Sequence, residues 1–244
     1  MGGYEQKGGI LNMRFAVTYE LSDDTIPVDY RSGLISLIKK AMETANKGLY
    51  DKFYDEDQKA KPYTFSVCSP NGFIKNGDAF KVGKTLIFNF STVSYEIGTY
   101  VYNGLQEIKT FPFFNNQIKL GKAMLLQEPK ITNDIAVFKT MSTVLINSKG
   151  KKDWYFIPGD SEFANAIDVC VKAMVNELLG VNDANVIFNP IKIKRQVVKH
   201  YSGNMQGFEG IFALSGKQEV LQLIHAVGLG VRRSQGFGML RIMK

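Results

Sequence analysis

RFAVTYELSDDTIPVDYRSGLISLIKKAMETAN, residues 14–46, changes its hydrophobic period part-way along. Over 14–21 the apolar positions Phe15, Val17, Tyr19 and Leu21 alternate with Arg14, Ala16, Thr18 and Glu20, the pattern of a half-buried strand. From 30 to 46, Leu34, Ile35, Leu37, Ile38, Ala41 and Met42 fall at helical spacing. Strands are then predicted at 63–69 and 84–91, a helix at 91–108 and a strand at 118–128. Ser91, Ser94 and Glu96 offer capping chemistry at the start of that helix, and Asn71-Gly72 and Asn76-Gly77 mark turns. The order is βαββαβ.

The second half repeats it. A strand at 135–142 is followed by a charged cluster, 149–153, in an inserted loop or hairpin. Pro158-Gly159-Asp160-Ser161 then leads into a helix that Gly180 closes. Segments 185–201 and 205–216 form a hairpin, 217–227 a short helix and 236–244 a last strand. The predicted fold is α+β, two tandem ferredoxin-like (βαββαβ) domains with antiparallel sheets and a C-terminal glycine-rich loop. The expected divisions are a flexible tail or cloning remnant over 1–12, an N-terminal domain over 13–130 and a C-terminal domain over 131–244.

Composition narrows the function classes. At 244 residues, 45% hydrophobic and 12% aromatic, the chain has material for real cores, and no apolar run approaches the roughly 18 to 20 residues of a membrane span. The start lacks the pattern of a secretory signal, so a cytoplasmic location is expected, without membrane contact. Cys68 and Cys170, too few and too far apart for a disulfide framework or a zinc site, are expected to be core thiols. Thirty Lys and Arg against 23 Asp and Glu give a net charge of +7 and favour a polyanionic partner. Residues 131–244 carry 14 basic and 9 acidic side chains, against 16 and 14 up to position 130, which makes the second half the better anion binder.

Two features there suit an anion. GLGVRRSQGFGM, residues 228–239, lies between the last helix and last strand. Its glycines Gly228, Gly230 and Gly236 let backbone amides approach phosphate oxygens, with Arg232, Arg233, Ser234 and Gln235 as further donors. It is neither a dinucleotide fingerprint nor a P-loop. In IKIKRQVVKH, residues 191–200, Lys192 and Lys194 alternate with isoleucines and project from one face, joined near the turn by Arg195, Lys199 and His200. Phe111, Phe113 and Phe114 read as core rather than as a stacking platform.

The segment GLGVRRSQGFGM closely resembles the C-terminal glycine-rich motif of the CRISPR-associated endoribonucleases that cut precursor CRISPR RNA, the sixth Cas family of the RAMP superfamily. IPVDYRSGLISLIKKAM, KPYTFSV and IKLGKAMLL also look like that family, so the resemblance runs along nearly the whole chain from Met13. It implies metal-independent cleavage of repeat RNA without a cofactor, in which a ribose 2′-hydroxyl attacks the adjacent phosphate and leaves a 2′,3′-cyclic phosphate and a 5′-hydroxyl. CRISPR repeat RNA is the implied partner, with a CRISPR effector complex as a further candidate, and the chain is expected to be a monomer or homodimer.

One element of the family pattern is missing. Many members place a histidine after the first helix, and residues 43–62 contain none. Tyr50, Lys52 and Tyr54 remain there as candidates: the lysine to stabilise charge on the phosphorane, a tyrosine to orient the 2′-hydroxyl or, with a lowered pKa, to relay its proton. His225 is the other candidate, at a helix C-terminus whose dipole favours the cation. The competing reading is a non-catalytic or weakly catalytic repeat-RNA-binding member of the same family. A ferredoxin-like binder of a small anion is a more distant alternative.

Overall fold

The structure, a computed structural model, describes residues 12–55, 60–147, 154–201 and 203–243, apart from the side chains of Lys52 and Asp55. Residues 1–11, most of the expected tail, and the 149–153 charge cluster lie outside them.

The first unit runs β1 (Met13–Leu21), β2 (Thr25–Pro27), α1 (Arg31–Ala45), α2 (Lys47–Asp55), β3 (Tyr63–Cys68), β4 (Ile74–Asn76), β5 (Ala79–Lys81), β6 (Thr85–Thr92), α3 (Tyr95–Glu107), β7 (Thr110–Phe113) and β8 (Asn116–Leu126). The second runs β9 (Ile135–Thr140), β10 (Ile146–Asn147), β11 (Tyr155–Phe156), α4 (Phe163–Leu179), β12 (Val186–His200), β13 (Gly203–Gly216), α5 (Gln218–Val227), a 3-10 turn (Arg233–Gln235) and β14 (Leu240–Ile242). The main sheets are ordered β3-β6-β1-β8-β7 and β12-β13-β9-β14, with every pairing antiparallel. Setting β7 aside, both place the unit's second, third, first and fourth strands side by side, the ferredoxin-like order, so the two halves share one topology.

Each sheet buries one face under its own helices. Phe15, Val17, Phe88 and Phe90 meet Leu34, Leu37, Ile38, Val101 and Leu105 in the first core, and Phe138, Phe208, Phe212 and Leu214 meet Ile167, Val171, Leu221 and Ile224 in the second. Helices α1 and α3 cross closely enough that a Cβ on Gly104 would collide with the Ala41 carbonyl. Ser94 caps α3 by accepting from the Ile97 amide at 3.3 Å, while Ser91 turns to the other unit and donates to the Ala226 carbonyl at 2.7 Å.

The unforeseen elements are short or lie in a polar stretch. β2, β5 and β4, three residues each, form a separate sheet, too brief for periodicity to register. α2 occupies part of the stretch between the expected helix 30–46 and the expected strand 63–69, where no element is expected. The last strand is shorter than the expected 236–244 because Gly236 and Gly238 hold positive φ, 86° and 72°, and keep the chain turning until Leu240. Cys68 is exposed because it stands at the end of β3, so it is not the core thiol expected, whereas Cys170 is partly buried and packs against the second core.

Candidate functional site

Four buried side chains of the first unit fasten the end of the second unit onto it. Arg14 of β1 donates from Nη2 to the carbonyls of His225 and Leu240, both at 2.9 Å, and its Nη1 lies 3.5 Å from Glu128. Ser91 reaches Ala226, Thr64 of β3 donates to the Phe237 carbonyl at 2.9 Å, and Arg31 of α1 donates to the Gly236 carbonyl at 3.3 Å. The glycine-rich loop is therefore an interior joint.

Its glycines act through close packing. A side chain on Gly236 would meet the Phe65 ring at 2.6 Å, at a φ that L-residues avoid. Gly228 and Gly230 also hold positive φ and press against the carbonyls of Gly238 and Leu145. The amides of Gly228, Gly236 and Gly238 donate to the carbonyls of Ile224, Arg233 and Thr143. The N–H groups of Gly228 and Gly236 are thus occupied within the chain, which corrects the expectation that these two cradle a phosphate.

The loop's side chains divide by depth. Arg233 is buried, donates to the Gly230 carbonyl at 2.8 Å and has its pKa pushed down by burial. Arg232, at positive φ, is half-exposed and donates to the Tyr155 hydroxyl at 3.1 Å and to the Gln235 side chain at 3.2 Å. Gln235 Oε1 in turn lies 3.2 Å from His200 Nε2, and His200 Nδ1 lies 2.9 Å from Asp29. His200 is fully buried, with its pKa lowered by burial against the opposing pull of Asp29. The expectation that it joins the basic hairpin face is corrected: it faces the loop. Ser234 and Gln235 are half-buried.

On the hairpin, Lys192 and Lys194 are exposed and two residues apart, hence on one face. Lys194 lies 4.0 Å from Glu209. Arg195 and Lys199 belong to the opposite face, where Arg195 donates to Gln206 and Lys199 lies 3.3 Å from Asp78 of the first unit. The basic residues are therefore split between two faces.

The candidate catalytic residues fall in two places. Tyr50 and Tyr54 are neighbours on α2, ring centroids 4.9 Å apart, and the Tyr54 hydroxyl lies 3.2 Å from that of Tyr63 on β3. Lys52 belongs to the same helix, but its side chain lies outside the described residues. Two lysines absent from the sequence-based candidates approach Tyr54: Lys61 Nζ sits 3.8 Å from its ring centroid and Lys39 Nζ 5.0 Å. Lys61 also donates to the Phe53 carbonyl at 3.3 Å. Burial, reinforced by the charge of Lys39, brings the Lys61 ammonium down to about 8. Burial raises Tyr54 to about 12, so it stays a neutral hydroxyl near pH 7, contrary to the expected lowered pKa.

His225 lies elsewhere, fully buried, with its ring stacked on Phe138 at 6.4 Å and Nε2 3.1 Å from Glu128 without the alignment of a hydrogen bond. Burial, aided by Arg14, lowers its pKa to about 3. Desolvation outweighs the helix dipole, and the expected cation is neutral. Among the described residues no three His, Cys, Asp or Glu side chains gather as a metal site, and no helix there is long and apolar enough to cross a membrane.

Residues 126–242 match the family model described as CRISPR associated protein Cas6, C-terminal. The CRISPR-associated endoribonuclease Cas6 1 of Methanocaldococcus jannaschii is 27% identical over 244 residues, covering 93% of this chain and 92% of that protein. The C-terminal half of the chain thus matches the Cas6 family model. The backbone agrees: a solved structure described as "Characterization of a Cas6-related gene from Pyrococcus furiosus" matches 96% of this chain and 99% of its own, at TM-score 0.85 and 19% identity. Another, "An RAMP protein binding different RNA substrates", matches 95% and 100% at TM-score 0.82 and 16% identity. At such identities these two speak for the fold, which in this chain brings β3 against both the Tyr54 cluster and the loop.

Proposed function

We propose that this chain is a repeat-RNA endoribonuclease that cleaves precursor CRISPR RNA by attack of a ribose 2′-hydroxyl, without a metal ion. The observation that carries the mechanism is the Tyr54–Lys61–Lys39 cluster. A lysine with a pKa near 8 sits close to the working pH, where a proton-transfer group is most effective. In its neutral form Lys61 takes the 2′ proton, Lys39 holds negative charge on the phosphorane, the un-ionised Tyr54 hydroxyl orients the sugar, and the departing 5′ oxygen takes its proton from water. Lys192, Lys194 and Arg232 bind RNA phosphates outside this cluster. The Methanocaldococcus jannaschii relative, named an endoribonuclease, supports the reaction class.

A second reading, a repeat-RNA-binding member without cleavage, is favoured by one observation: both histidines of the chain are fully buried and unavailable as surface bases. Incubation with labelled CRISPR repeat RNA in excess chelator separates the two. The proposal expects cutting that persists and is abolished by a 2′-deoxy nucleotide at the scissile position. Tight binding with no cut supports the second reading, and cutting that stops in chelator refutes the metal-free mechanism.

A further inference from the structure

A cavity of about 690 Å³ opens between the small β2-β5-β4 sheet of the first unit and the β12–β13 hairpin of the second. Neither Tyr54 nor Lys61 lines it. One wall is aromatic: the Tyr30, Phe73 and Phe80 rings pack with centroids 5.4 to 6.4 Å apart, and Phe73 and Phe80 are only partly buried. Lys75 stands exposed at the edge, and Lys199 bridges to Asp78 across the two units. The opposite wall is polar and carries Glu209, whose Oε1 accepts from the Thr143 hydroxyl at 2.6 Å.

These groups define a ligand by elimination. An aliphatic guest would strip water from Glu209 and from its ion pair with Lys194, 4.0 Å away, and offer no hydrogen bond in return. A free phosphate would find Lys194 and Lys199 already paired with Glu209 and Asp78 and would gain nothing from three rings. A flat, apolar-faced group with N–H donors on its edge satisfies both walls, and a phosphate attached to it falls toward the lysines at the rim. An unpaired nucleobase has that shape, since single-stranded RNA is bound by stacking bases on aromatic side chains and hydrogen-bonding their edges. Among the RNA bases, guanine alone presents adjacent ring N–H and amino donors to one carboxylate.

We infer that this cavity is a base-reading pocket for an unpaired guanosine of bound RNA, with Phe73 and Phe80 as the stacking wall and Glu209 reading the donor edge. The inference rests on the RNA reading above and adds sequence preference to it, at a position distinct from the cleavage cluster.

The probe is a single-stranded RNA of eight uridines, compared with the same oligonucleotide carrying one central guanosine, by fluorescence anisotropy at fixed salt. The wild-type chain is expected to bind the guanosine oligonucleotide about tenfold more tightly, the scale of a bidentate edge contact. Glu209→Gln should erase that preference and leave uridine-oligomer affinity nearly unchanged. Phe80→Leu, checked for folding by circular dichroism, should weaken the guanosine oligonucleotide most, and Lys75→Ala, on the exposed edge, should weaken both equally. Equal wild-type affinities, or a preference that survives Glu209→Gln, overturns the pocket while leaving RNA binding intact. No binding of either oligonucleotide or of repeat RNA overturns the RNA reading itself.

Discussion

Lys61 and Gly236 show how differently single residues contribute here. Lys61 could not be singled out from KAKPYTFSV, where it reads as one more surface lysine before a strand. Its lowered pKa comes from burial beside Tyr54 and from Lys39, neither of which is a sequence neighbour. Lys61→Ala is expected to slow single-turnover cleavage by about 10²-fold or more, the usual weight of a proton-transfer group. Gly236 was legible as a special residue, but for a ligand rather than for packing. Gly236→Ala places a methyl against Phe65 at positive φ and should lower stability by about 2 kcal/mol, read from denaturant midpoints at constant m-value.

Among the elements, long ones with a clear period were readable and short ones were not. β1, α1, α4 and the β12–β13 hairpin lie within a residue or two of their expected limits, because each buries one face over many residues. β2, β4 and β5 have three residues apiece and depend on partners far along the chain. Of the hairpin cations, Lys192 and Lys194 stay exposed, whereas His200 turns inward to Asp29 and Gln235. If the exposed pair tracks RNA phosphates, Lys192→Ala and Lys194→Ala should each reduce the slope of log binding constant against log salt by about one. A slope unchanged in both variants would remove the hairpin from the interface. At the end of α5, His225 titrates well below its ordinary value. The folded chain therefore binds fewer protons than the unfolded chain between about pH 3 and the ordinary histidine range, and stability falls as pH drops through that window. His200 adds to the same slope. His225→Gln should flatten the decline without abolishing it, as measured by urea unfolding from pH 7 to pH 4.

At the scale of the molecule, the repeated βαββαβ order was readable because both halves alternate strand and helix patterns, but how the halves meet was not. The joint is built from Arg14, Thr64, Ser91 and Arg31 on the first unit, each reaching a main-chain carbonyl at the end of the second. No periodicity announces a buried arginine in a strand. Arg14→Met leaves Glu128 and two carbonyls without their partner and should cost about 3 kcal/mol of stability. The same joint sets β3 between the glycine-rich loop and the Tyr54–Lys61 cluster, so the motif legible in the sequence and the residues hidden from it belong to one assembly. The role of Lys61 is tested by single-turnover cleavage of repeat RNA in excess chelator, compared for wild type, Lys61→Ala and Lys61→Arg from pH 6 to pH 9. It predicts a wild-type rate that rises with pH and levels off above about 8, as neutral Lys61 accumulates, and loss of cleavage in both variants, because arginine keeps the charge but cannot accept the proton. A wild-type rate in Lys61→Ala, or full rescue by arginine with an unchanged pH profile, would contradict it.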